Sequence, residues 1–79
     1  MKNKIATFYD ENGQFIQKMP LQHIDASKRF TTAYLLESGE YRRFWTNEEL
    51  THIDVCGFTG IVTLRYASGK FIEITRANA

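Results

Sequence analysis

His52, Asp54 and Cys56 alternate along the chain. On an extended segment, residues two apart share a face, so an imidazole, a carboxylate and a thiol would stand in one row. Zinc takes all three as ligands. Zinc sites usually draw ligands from two separate segments, and here His23 with Asp25 would have to supply the rest. Neither histidine sits in a metal-binding spacing. The plainer reading points Ile53 and Val55 inward, leaves His52 and Asp54 in water, and expects no metal.

Cys56 with a histidine would also make a nucleophile and base. Beyond the residue types, nothing supports it. Gly57-Phe58-Thr59-Gly60 is not a nucleophile elbow, and the chain has neither a Walker loop nor a dinucleotide fingerprint. So small a domain rarely encloses a substrate pocket of the usual size. Cys56 therefore reads as structural, and the chain as a non-enzyme with no catalytic residues and no cofactor.

The most suggestive stretch is Tyr41-Arg42-Arg43-Phe44-Trp45, with Lys28-Arg29-Phe30 one strand away if the two segments pair. Trp, Tyr and Arg are the residue types enriched at protein–protein hot spots. Tyr41, Arg42, Arg43, Trp45, Lys28 and Arg29 are the candidate partner-binding residues. Phe71 joins them because its register sends it away from Leu64 and Ile72. The same types would suit RNA or single-stranded DNA, since rings stack on bases and arginines meet phosphates. On a strand, Tyr41, Arg43 and Trp45 share one face, and Arg42 and Phe44 the other. One face must pack on the core, so the plainer reading makes the aromatics core and lets the arginine stems cover its edges.

Composition narrows these choices. The formal net charge is +1 over 79 residues, too near neutral for a strong phosphate footprint. Another protein is the expected partner; RNA or single-stranded DNA is the alternative, and a homodimer is compatible. The length is that of one domain, burying roughly 60–65% of its unfolded surface. Six Phe, four Tyr and one Trp give it the means to build a core. A lone cysteine permits no internal disulfide. No apolar run is long enough to span a bilayer, and Phe8-Tyr9-Asp10-Glu11 interrupts any signal-peptide pattern. The expectation is a cytoplasmic protein with no membrane partner.

The elements that must position these residues are written in the glycines. Glu11-Asn12-Gly13-Gln14, Glu37-Ser38-Gly39-Glu40 and Ala67-Ser68-Gly69-Lys70 each set a polar–Gly–polar run between aromatic and β-branched segments. Glycine tolerates the positive φ of a tight hairpin loop, so the pattern predicts three β-hairpins. In the last, a loop over Ala67 to Gly69 pairs Leu64 with Ile72 and Val62 with Ile74. Thr63, Arg65, Phe71, Glu73 and Thr75 fall on the other face. In the first, a loop over Glu11 to Gly13 pairs Tyr9 with Phe15, Phe8 with Ile16 and Ile5 with Met19, and Pro20 ends the strand. The middle hairpin returns through Tyr41 to Trp45. Asp25 as a cap, the Phe30/Tyr34 spacing and Gly39 keep a helix over 26–36 as the alternative. Thr46-Asn47-Glu48-Glu49 matches a capping box and predicts a short helical turn over 46–51.

One echo remains. Leu21-Gln22-His23-Ile24-Asp25 and Leu50-Thr51-His52-Ile53-Asp54 agree at four of five positions. Duplication and coincidence both account for it, and either way Leu and Ile are expected to face the core.

The sequence thus predicts a single, mainly β domain over 1–79. Three antiparallel hairpins form a small twisted sheet or open barrel with one short helical turn. α+β is the alternative. The expected function is binding, with an inhibitor or regulator as the kind of protein this suits. Size and style suit the accessory proteins of phages and mobile elements that obstruct a host complex, although no motif carries that likeness.

Overall fold

The computed structural model describes residues 4–26, 31–35 and 39–76, with the 31–35 strand described by its pairing alone. Seven strands follow one another: β1 (Lys4–Tyr9), β2 (Phe15–Ala26), β3 (Thr31–Leu35), β4 (Tyr41–Phe44), β5 (Leu50–Val55), β6 (Val62–Tyr66) and β7 (Phe71–Arg76). They form one antiparallel sheet in the order β4-β3-β2-β1-β7-β6-β5. β4 and β5 are its two free edges, so the sheet is open and not a closed barrel. The described residues contain no helix.

Alternation sorts the side chains. Ala6 and Phe8 on β1, Leu21 on β2, Leu64 and Tyr66 on β6, and Ile72 and Ile74 on β7 are buried together. Phe8, Leu21 and Ile72, the large fully buried side chains, each stabilise the fold by about 1.5–3 kcal/mol. A single sheet with no helix over it buries this face only by curling. Phe44 and Trp45, at the end of β4, reach across the concave side. Phe44 lies 5.1 Å from Phe8, and Trp45 lies 5.0 Å from Tyr66, ring centre to ring centre.

The hairpins are largely those expected. β6 and β7 pair Leu64 with Ile72 and Val62 with Ile74 around the Ala67–Gly69 loop. β3 and β4 pair Tyr34 with Tyr41 and Thr31 with Phe44. Thr31–Leu35 is therefore strand and not the alternative helix; residues 27–30 and 36 lie outside the described residues.

Three expectations are corrected. A bulge at Ile16 slips the first hairpin by one residue beyond Tyr9–Phe15, so Phe8 faces Gln17 and Ile5 faces Pro20. Pro20 does not end its strand, for β2 runs on to Ala26. β3 pairs with β2 only from Leu21 onward, so among the described residues no strand flanks Pro20 on that side and its missing N–H interrupts no described pairing there. Thr46–Glu49 forms no helix either. The Glu48 N–H donates to the Trp45 carbonyl at 2.9 Å, a single turn, and β5 starts at Leu50. Trp45 enters that turn with φ of +53°. Packing of its ring against Phe8 and Tyr66 overrides the backbone cost, of order 1–2 kcal/mol.

The echo is structural as well. β2 carries a register break between Leu21 and His23, and β5 carries one between Leu50 and His52. Beyond it, His23, Ile24 and Asp25 face Tyr34, Ala33 and Thr32, while His52, Ile53 and Asp54 face Arg65, Leu64 and Thr63. β2-β3-β4 and β5-β6-β7 thus cross the sheet in the same order and the same directions, either side of β1. Gly39 and Gly69 both adopt positive φ in the second loop of each unit. Agreement in order, direction, bulge and loop supports an internal duplication. The core-facing expectation holds at Leu21, which is fully buried, and at Ile24 and Leu50, which pack against the core; Ile53 lies on the core face too but is exposed at the sheet's edge.

Candidate functional site: the outer face of the sheet

Residues directly opposite one another in a sheet share a face. Phe15 is opposite Tyr9, Tyr9 opposite Phe71, Phe71 opposite Arg65, and Arg65 opposite His52. These pairings draw one straight row across β2, β1, β7, β6 and β5, on the face away from the core. Tyr9 and Phe71 stack at 4.8 Å with planes 18° apart. The Arg65 guanidinium lies 5.5 Å from the Phe71 ring centre, a cation–π distance. Its Nε also donates to Asp54 Oδ2 at 2.9 Å. Phe15, at the far end, is 61% exposed. The row is a ledge of flat, apolar and mostly fixed groups.

The sequence candidates divide. Tyr41, Arg42 and Arg43 come together on edge strand β4 and line, with Asp25, an open concavity of about 610 Å³. Arg42 reaches Glu40 at 3.4 Å, both side chains half in water. Phe71 belongs to the other cluster, four strands away, or about 19 Å along the sheet. The matching registers relate the two: Tyr41 faces the residue opposite His23, just as Phe71 faces the residue opposite His52. Trp45 turns into the molecule. Its ring meets Phe8 and Tyr66 edge-on, and Lys70 Nζ lies 5.5 Å above it. Lys28 and Arg29 lie outside the described residues.

Tyr9, Phe15 and Arg65 were not among the expected contact residues. Their hairpin pairings were legible, but nothing local joins the two hairpins. The β1–β7 pairing spans nearly the whole chain and appears only in the folded sheet.

His52 and Asp54 project from β5, and Cys56 follows the strand in an exposed turn. Among the described residues, no group of three or more His, Cys, Asp or Glu is placed to hold a metal ion. The His52 Nδ1 lies 3.1 Å from the neighbouring Thr51 hydroxyl. The Cys56 thiol is pulled below its ordinary range by the Thr59 hydroxyl, and further by the backbone N–H groups of Thr59 and Phe58. Glu48 is also held below the usual carboxylate range. The Ser68 hydroxyl is the main cause, burial opposes it, and Lys70 adds at 3.3 Å. That contact ties the Trp45–Glu48 turn to the β6–β7 loop.

No helix among the described residues is long and apolar enough to cross a membrane. Comparison with known proteins gives no family and no relative: no family model matches the chain, and no curated protein or solved structure matches it significantly.

Proposed function

We propose that this chain is a small non-enzymatic binding protein that engages another protein through the outer face of its sheet. The reading rests on one observation: Phe15, Tyr9, Phe71 and Arg65 form a continuous row on a face that no other described layer covers. Stacked aromatics and a ring-borne arginine are the groups that carry binding energy at protein interfaces. Their order is set before any partner arrives, which lowers the entropic cost of docking. Tyr41 and Arg43 extend the contact at the β4 edge, while Arg42 alternates to the strand's other side. Binding alone would make the protein an inhibitor or regulator, since occupying a partner's surface is then its effect.

RNA or single-stranded DNA is less well supported. The rings would suit bases, but Arg65 is held by Asp54 and Arg42 by Glu40, which leaves those cations partly neutralised toward phosphate.

The test is quantitative capture of host proteins by the immobilised chain and by Phe15→Ser and Tyr41→Ser variants, both changed at exposed positions. The expected result is one protein retained by the parent and lost from Phe15→Ser. Equal capture by all three would remove the outer face as the contact surface. Binding to mixed oligonucleotides that falls steeply with salt would replace the protein partner with nucleic acid.

A further inference from the structure

β5 is a free edge with an apolar side. Ile53 is 56% exposed and Val55 is 67% exposed, although both belong to the face that elsewhere forms the core. Their neighbours Leu64 and Val62 on β6 are buried and half-buried, so the core runs out to the edge, where no described residue covers it. Edge strands are commonly blunted with lysine or proline, and β5 has neither. β4, the other edge, carries Arg42 and Arg43.

We infer that β5 pairs antiparallel with β5 of a second copy, centred on Ile53, and that the two sheets join into one. Hydrogen-bond complementarity between an imidazole and a carboxylate selects both the partner and the register. Centred on Ile53, a two-fold axis sets each His52 opposite the other copy's Asp54, Ile53 against Ile53, and Thr51 against Val55. Both ends then carry a complementary pair on the outer face, and the exposed Ile53 and Val55 continue the core side. Other registers are worse. Centring on Asp54 opposes two carboxylates, centring on His52 opposes two imidazoles, and a half-step slip sets Ile53 against Asp54. Asp54 remains available because Arg65 takes its Oδ2, leaving Oδ1 to the incoming His52. Such an interface is isologous and closes at two copies. It meets the outer-face row only at its His52 end beside Arg65 and leaves Phe15, Tyr9 and Phe71 untouched, so Ile53→Lys and Phe15→Ser test the two surfaces separately.

The test is light scattering after size exclusion on the full chain, with sedimentation to give the affinity. The parent is expected to be a dimer. Ile53→Lys is expected to be a monomer with an unchanged far-UV spectrum. His52→Asp, which opposes two carboxylates, is expected to weaken association at least about tenfold, whereas His52→Lys keeps it. A parent monomeric at every concentration up to that used for NMR would overturn the inference. So would a dimer indifferent to Ile53→Lys, or one weakened equally by the two His52 changes.

Discussion

Tyr9 and Phe71 lie face to face at 4.8 Å, on the first and last strands of the chain. Their contact sits where two hairpins, built separately by local sequence, become one sheet. It also lies in the middle of the outer-face row, so the residues that join the fold are those proposed to meet the partner.

That double role has a measurable stability component. Tyr9→Ala and Phe71→Ala are each expected to cost about 1–3 kcal/mol in urea unfolding, for half-buried rings. The double-mutant cycle is expected to return a coupling of about 0.5–1.5 kcal/mol. Additive losses would mean that the stacking contributes nothing beyond area.

Trp45 is expected to matter for folding before binding. Trp45→Ala removes a ring that touches Phe8, Tyr66 and Lys70, and should cost about 2–4 kcal/mol. Trp45→Phe should recover part of it. Wild-type unfolding in Trp45→Ala would contradict the packing described.

Glu48 gives a pH signature. Its folded pKa is depressed, so its contribution is present above the unfolded carboxylate value and is lost as pH falls through the lower folded one. Glu48→Gln should therefore melt below the parent at neutral pH, and the gap should close in acid. The effect is small, on the scale of a single surface pair, below about 1 kcal/mol. A gap that persists at low pH would assign the loss to packing instead.

Cys56 is exposed, and its thiol is tuned downward chiefly by Thr59. Alkylation by iodoacetamide near neutral pH should run faster than for a free cysteine and slow on Thr59→Val, because thiolate is the reacting form. Unchanged rates would mean that the turn leaves the thiol untuned.

The sequence carried the local part of this structure well. Gly69 with its flanking Val62, Leu64, Ile72 and Ile74 fixed a register that the sheet reproduces. What escaped were features decided at a distance. The Ile16 bulge turns Phe8 toward Gln17, and only the β1–β7 neighbour shows why Phe8 must face inward. The capping-box pattern of Thr46 and Glu49 was overridden because Trp45 docks in the core and the chain must turn at once into β5. The contact residues were half visible. Tyr41, Arg42 and Arg43 stood out by type and Phe71 by its hairpin register, whereas Tyr9, Phe15 and Arg65 gain meaning only from a pairing between chain ends.

The most direct test is therefore of that pairing. Cross-strand nuclear Overhauser contacts should link Thr7 with Glu73 and the Tyr9 ring with the Phe71 ring in the intact chain. With those contacts present, the outer-face row exists as described. A spectrum in which β1 meets only β2, with Phe71 remote from Tyr9, would dissolve the row and the binding face together.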